Sequence, residues 1–479
     1  MLSTRLFRLA LLATLVLVVF PAAAVKAAPR MQIGFYDDPS FRWASRSAVI
    51  ANLKAASSAH ATIIHVLADW SQIAQKRPKN ALTGNDPAYN LTDLDALVSA
   101  APHYGLQVYV TISNTPSWAN GGKTVNHPPT HLSDLTNVAH MLSARYNGRH
   151  GHGIVTRWSI WNEPNLQLFL TPQFNAKGKI VSAAEYAKLY AAGYAGIKAG
   201  NPGAQVAIGE TSNRGHNHPT EPSSSNSVAP ATFAHLVAVA NPHLKFDAYA
   251  EHPYPTIGAK LGPDQKVAYP NVSLMNLGKF AASLKQWFHR TVPLWLTEWG
   301  EQTRPQISFG ISYAQQAKDA KEALALAAKV PDVQMFIWFI LRDSTGKTWF
   351  SGLESASGAK KPSYAAFTSS AKKLTGQTQA VSDKARSFAV HATVPYLSYF
   401  DPIGSKVFVE YSLLQPNGRT QVTHGAKRNV PLAANQTVPC TVKLPTKYRL
   451  LKGLDYTLQV TVVDKHGNTT KENFTISGS

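Results

Sequence analysis

Cysteine is nearly absent: Cys440 is the only one in 479 residues. No disulfide can form within the chain, so its own core must hold it together. Acidic residues are also scarce, with 27 Asp and Glu against 47 Lys and Arg, a formal net charge of +20. The basic residues form no dense block with interleaved aromatics, which argues against nucleic-acid binding. The positive balance reads first as general surface composition and second as a face suited to an anionic glycan or the cell envelope.

Long apolar runs are missing after the N-terminus. There, Arg5 and Arg8 precede an apolar stretch from Leu9 to Phe20, Pro21 ends it, and Ala22-Ala23-Ala24 and Ala27-Ala28 supply small residues for cleavage. The run is shorter than the roughly 20 residues that a membrane span needs. Residues 1–28 are therefore expected to be a secretory signal, and the protein to be secreted or associated with the cell envelope. The serine elbow of esterases and the glycine-rich phosphate loop are both lacking, which leaves acyl and phosphoryl transfer without support. His150/His152 and His216/His218 are H-x-H pairs, but their Gly and Asn neighbours suggest loops and no third ligand accompanies either pair. No metal and no cofactor is expected.

What is present is a regular alternation. Strand-like runs at 32–38, 62–70, 107–113, 157–163, 206–210, 246–254, 293–299 and 333–341 are interleaved with helix-like stretches at 47–60, 91–104, 132–147, 183–199, 231–240, 274–288 and 313–329, and 363–374 follows as an eighth. Eight such units predict a (β/α)8 TIM barrel over 29–376, with its chemistry at the C-terminal ends of the strands. After Leu374 the linker-like Gly376-Gln377-Thr378-Gln379 leads into short alternating strands such as SFAVHATV, KVFVEYSLL and YTLQVTVVD. These predict a small C-terminal β-sandwich over 385–479, which either packs against the barrel or binds carbohydrate weakly.

Two glutamates end two of the barrel runs. Glu163 follows RWSIWN and precedes Pro164, and Glu298 closes VPLWLT and precedes Trp299-Gly300. A carboxylic acid and a carboxylate facing each other are what glycosidic bond cleavage requires. The rival carboxylates Asp37, Asp38, Asp69 and Glu210 read better as helix caps or hydroxyl binders. The loop Asn114-Thr115-Pro116-Ser117-Trp118 after the third strand carries an aromatic suited to a sugar subsite. The segment 211–227 after the fifth strand, rich in Asn, His and Ser, reads as a flexible rim.

Trp161-Asn162-Glu163-Pro164 and Thr297-Glu298-Trp299-Gly300 resemble the strand-4 and strand-7 motifs of the retaining glycoside hydrolases of clan A, most closely families 39 and 5. Family 5 usually carries an Arg where this chain has Asp69-Trp70. The resemblance implies Glu163 as acid/base and Glu298 as nucleophile, and Asn162 as the ligand of the hydroxyl beside the anomeric centre. It implies further that His252 and Tyr254 border the nucleophile and that Trp338 stacks on sugar rings, while Trp118 is a second stacking candidate from its own loop. On this reading the chain is a secreted retaining glycosidase acting on a poly- or oligosaccharide, and a monomer is expected. Its rivals are a non-catalytic carbohydrate-binding barrel and a transglycosylase that uses the same residues.

Overall fold

Each strand-like run is apolar because both faces of a parallel barrel strand are covered, by the interior on one side and by helices on the other. The computed structural model describes residues 31–255, 262–305, 307–346, 349–376, 378–394, 397, 401, 404–433 and 436–479. The proposed signal at 1–28 lies outside the described residues.

Eight parallel strands close into a barrel: β1 (Gln32–Tyr36), β2 (Ile63–Asp69), β3 (Gln107–Ser113), β4 (Arg157–Ile160), β5 (Gln205–Ser212), β6 (Ala248–His252), β7 (Leu294–Trp299) and β8 (Val333–Phe339), with β8 returning to β1. Around them lie α1 (Arg46–Ser58), the single turn α2 (Trp70–Ile73), α3 (Thr92–Ala100), α4 (Leu132–Arg145), α5 (Ser182–Gly200), α6 (Pro230–Ala240), α7 (Leu277–Trp287), α8 (Tyr313–Ala328) and α9 (Pro362–Leu374). The barrel interior is filled by Tyr36, Ile63, Tyr109, Trp295, Met335 and Ile337, together with small alanines from β5 and β6. The larger apolar cluster lies between strands and helices.

The pairing register slips at two places that matter. On β5 and β6, Gly209 pairs with Ala250 and Thr211 with Glu251, so Glu210 is an extra residue. On β7 and β8, Leu296 pairs with Phe336 and Trp299 with Trp338, so the stretch holding Glu298 is one residue longer than its partner. Bulges of this kind re-aim a side chain. One puts Glu298 at the C-terminal rim, and the other turns Glu210 into the barrel.

Beyond the barrel, a two-stranded sheet of β10 (Ser387–Thr393) and β13 (Thr437–Lys443) faces a five-stranded sheet. The latter is ordered β12 (Gln421–Pro431), β11 (Lys406–Leu414), β14 (Asp455–Val463), β15 (Thr469–Gly478) and β9 (Thr378–Val381). The two sheets share one apolar core, in which Cys440 is buried. Two corrections to the sequence reading arise here. The stretch expected as a linker contributes β9, which pairs in parallel with β15. The strand β12 had no apolar alternation to reveal it, because as an edge strand it exposes most of its residues.

Candidate active site

Strand β4 stops at Ile160, and the chain then turns through Trp161 and Glu163 with φ of +74° and +40°. Non-glycine residues seldom adopt positive φ, and such residues cluster at functional sites. The turn is held from several sides. Trp161 is buried and donates its indole N–H to the Phe169 carbonyl at 2.7 Å. Asn165 donates to the Ser212 and Val228 carbonyls and accepts from the Ser212 N–H, which ties the loop to β5. The backbone N–H of Glu163 donates to the Glu210 carbonyl at 2.9 Å.

These supports bring Glu163, His252 and Glu298 together, with one nitrogen or oxygen from each lying within 4.8 Å of the others. Nδ1 of His252 is 3.0 Å from Glu163 Oε1 and 3.7 Å from Glu298 Oε2. The Tyr254 hydroxyl donates to Glu298 Oε2 at 2.8 Å. Burial, followed by the neighbouring Glu298 charge, holds Tyr254 far above the ordinary phenol range, so it remains a donor. Asn162 is buried beside them, and its Oδ1 has no hydrogen-bond partner among the described residues.

Burial pushes the Glu298 carboxyl up to about 8, and the Glu163 charge adds to this against the opposing pull of His252 and the Tyr254 hydroxyl. Glu298 is the deeper of the two, with its side chain 10% exposed against 14% for Glu163. Two carboxyls this close cannot both ionise cheaply, so near neutrality they hold one proton as a pair. Burial by itself would strip His252 of its charge, yet Glu298 and Glu163 carry its pKa well above the ordinary value. The trio also has the spacing of metal ligands. His216 and His218 stand apart with rings 5.9 Å from each other, and His152 faces Asp95 at 3.8 Å.

The aromatic expectations need correction. Trp338 is fully buried: it packs against Trp299 at 5.3 Å and Phe367 at 6.1 Å and donates its N–H to the Ser351 carbonyl. Side chains alternate along a strand. Met335, Ile337 and Phe339 point into the barrel and Trp338 points out toward the helices, so it cannot stack on a sugar. Trp118 is spent as well, with the Arg77 guanidinium 4.4 Å over its ring, Trp70 against its edge and its N–H donated to the Ala74 carbonyl. The aromatic ring of the site is made instead by Tyr36, Phe339 and Trp349. Phe339 lies 5.2 Å from Tyr36 and 5.4 Å from Trp349, which in turn lies 6.4 Å from Tyr254.

The rival carboxylates divide. Asp38 pairs with Arg42 at 2.9 Å, Asp69 caps α2, and Asp37 accepts the Leu341 and Arg342 N–H groups at 3.1 Å, closing β1 onto β8. Glu210 instead enters the barrel beneath His252. His65 joins it there, a histidine in an apolar strand to which the sequence reading assigned no role. The segment 211–227 is pinned by hydrogen bonds such as His216 N–H to the Ser227 carbonyl.

The family model for glycosyl hydrolases family 39 matches residues 54–324, more than half of the chain. No curated protein sequence matches it. Among solved structures, a GH39 beta-xylosidase from Caulobacter crescentus is 15% identical, with a TM-score of 0.51 and coverage of 88% of this chain and 98% of that one. GH5_18 from Streptomyces cattleya, in complex with GlcNAc, is also 15% identical, with a TM-score of 0.51 and coverage of 74% and 85%. At this identity the two structures speak for the barrel fold alone.

Proposed function

Because this chain belongs to family 39 of the glycosyl hydrolases, and is therefore a glycosidase, we propose that it cleaves its glycan by double displacement, with Glu298 as nucleophile and Glu163 as acid/base. The observation that carries this reading is the approach of the two carboxyls to within 4.8 Å across His252. A pair about 5 to 5.5 Å apart attacks directly, whereas an inverting pair stands roughly 6.5 to 9.5 Å apart to admit a water.

In the first step Glu163 gives its proton to the glycosidic oxygen as the bond to the anomeric carbon breaks, and Glu298 forms a bond to that carbon. The single proton of the pair belongs on Glu163 at that moment. Developing positive charge at the sugar favours the anion on Glu298, and the Tyr254 hydroxyl and the His252 cation stabilise it there. In the second step Glu163 takes a proton from water, whose oxygen displaces Glu298. The unpartnered Asn162 Oδ1 is suited to accept from the neighbouring sugar hydroxyl, and Phe339 and Trp349 supply apolar walls. Proton NMR of the first product released is expected to show the anomer of the substrate. Initial release of the opposite anomer would overturn the double displacement.

Export is the second part of the proposal, supported by the basic, apolar and small-residue order of the first 28 residues. The mature protein should be recovered outside the cytoplasm with a new N-terminus close to Pro29. A protein that retains Met1 in the cell interior would contradict it.

A further inference from the structure

Glu210 is fully buried inside the barrel, on the β5 bulge, with φ of +53°. That is an uncommon conformation for a residue other than glycine, and here the bulge aims the side chain beneath His252. Its carboxylate accepts from Thr111 Oγ1 at 2.8 and 3.0 Å and from Ser159 Oγ, and the Tyr109 hydroxyl reaches it at 3.4 Å. Two imidazoles flank it, with His65 Nε2 at 3.3 Å and His252 Nε2 at 3.9 Å. Among the described residues no Lys or Arg pairs with it. An uncompensated buried carboxylate is costly, so a protonated imidazole is the counter-ion at hand.

The backbone contacts tie this anion to both catalytic loops. The Glu210 carbonyl accepts the N–H of Glu163. His65 Nδ1–H donates to the carbonyl of Thr297, the residue before Glu298, at 3.2 Å. We propose that Glu210 is a positioning residue that keeps His252 as the imidazolium between Glu163 and Glu298, and thereby fixes the one proton those carboxyls share. This rests on the roles assigned to Glu163 and Glu298 above.

The charges facing His252 agree with this. Glu163 comes from β4, Glu210 from β5 and Glu298 from β7, with Tyr254 following β6. On β6 itself Glu251 turns outward to the Thr211 hydroxyl, and burial holds it protonated. Tyr36 from β1 and Tyr109 from β3 pack on the ring of His65. Burial pushes Glu210 upward, but the two imidazoles outweigh it and hold the carboxyl at about 2.

Catalysis needs the last proton of the carboxyl pair, so kcat/KM should fall as pH rises through about 8. Removing the Glu210 charge by itself lowers the proton affinity of every group around it. Glu210→Gln keeps the shape of the side chain, and it is expected to let His252 give up its proton. The His252 charge lowers Glu298 more than the Glu210 charge raises it, so the alkaline limb should move up by about one pH unit, with the loss of turnover largest near pH 7 and smallest above pH 8. A loss equal at every pH would mean that Glu210 only supports the fold. The wild-type protein gives a test free of any folding defect. ¹⁵N NMR of His252, assigned by its absence in His252→Gln, should show both ring nitrogens protonated near pH 7.5, and a neutral tautomer there would overturn the proposal. A protonated His252 combined with undiminished turnover in Glu298→Ala would instead overturn the nucleophile assignment and leave the charge relation of Glu210 and His252 standing.

Discussion

Glu298→Ala is expected to lower turnover by a factor on the order of 10⁴ to 10⁶, the range seen when a nucleophile is removed while binding groups remain. The substitution leaves space at the anomeric carbon, and the remaining groups that made Glu298 effective stay in place: the Tyr254 hydroxyl 2.8 Å from where Oε2 was, and the His252 cation beyond it. Both would hold a small anion in the vacated position. Added azide should therefore restore part of the rate, and one displacement in place of two should give a glycosyl azide of inverted configuration. The nearest alternative in sequence, Glu301, does not substitute. It is buried, and burial followed by the charge of Asp319 pushes its carboxyl up to about 9, so it is protonated at neutral pH and a poor nucleophile. The fold should persist, because Glu298 is an expensive group to bury rather than a source of stability. Near wild-type turnover in a folded Glu298→Ala protein would remove it from the mechanism.

The barrel was legible in the sequence because a buried parallel strand has few ways to be written. Runs such as QVYVTIS at 107–113 are rich in β-branched and aromatic residues, and helical stretches of ordinary length separate them, so eight units emerge from pattern alone. The sandwich was legible where one face is buried, as in KVFVEYSLL, whose burial alternates strictly. It was hidden where that asymmetry disappears. The strand β12, QVTHGAKRNVP, pairs along one edge of β11 and shows most of its residues to solvent, and a loop would be written the same way.

The site divides along a different line. Glu163 and Glu298 could be found because each is a carboxylate closing an apolar run, which local sequence records. The orientation of an aromatic could not be found in this way. In VQMFIWF every residue after Gln334 is apolar, so five successive apolar positions do not say which alternate set faces the barrel, and Trp338 and Phe339 differ only by the phase of the pleat. The phase is set by pairing with β1, a contact more than 290 residues away in the chain. Glu210 was hidden for a related reason: a residue on a bulge leaves the alternation, and its inward turn depends on the register between β5 and β6. His65 did carry a usable signal, since a lone histidine within IIHVLAD must find partners for both nitrogens inside an apolar strand.

Glu163→Gln should depend on the leaving group. A general acid contributes about 10² to 10⁴-fold when the departing alkoxide is a strong base and little when it is a stable phenolate. Glutamine keeps the bulk of the side chain and, through Oε1, a contact for His252 Nδ1–H at the 3.0 Å position that Glu163 Oε1 occupies, so substrate binding and loop geometry should change little. On natural glycosides the first step should fall by roughly the full factor. On aryl glycosides with acidic phenols the burst of phenol should survive while the second step slows, because no base remains to take the proton from water. Glycosyl-enzyme on Glu298 should then accumulate, and mass spectrometry of the denatured protein should find the sugar on the peptide that contains it. The loss of one carboxylate beside Glu298 should also let that carboxyl ionise at lower pH, since the Glu163 charge is one of the causes that raise it. The pH optimum for the aryl substrate is therefore expected to broaden toward acid. Equal losses on natural and aryl glycosides, with no adduct on Glu298, would mean that Glu163 binds the substrate without moving its proton.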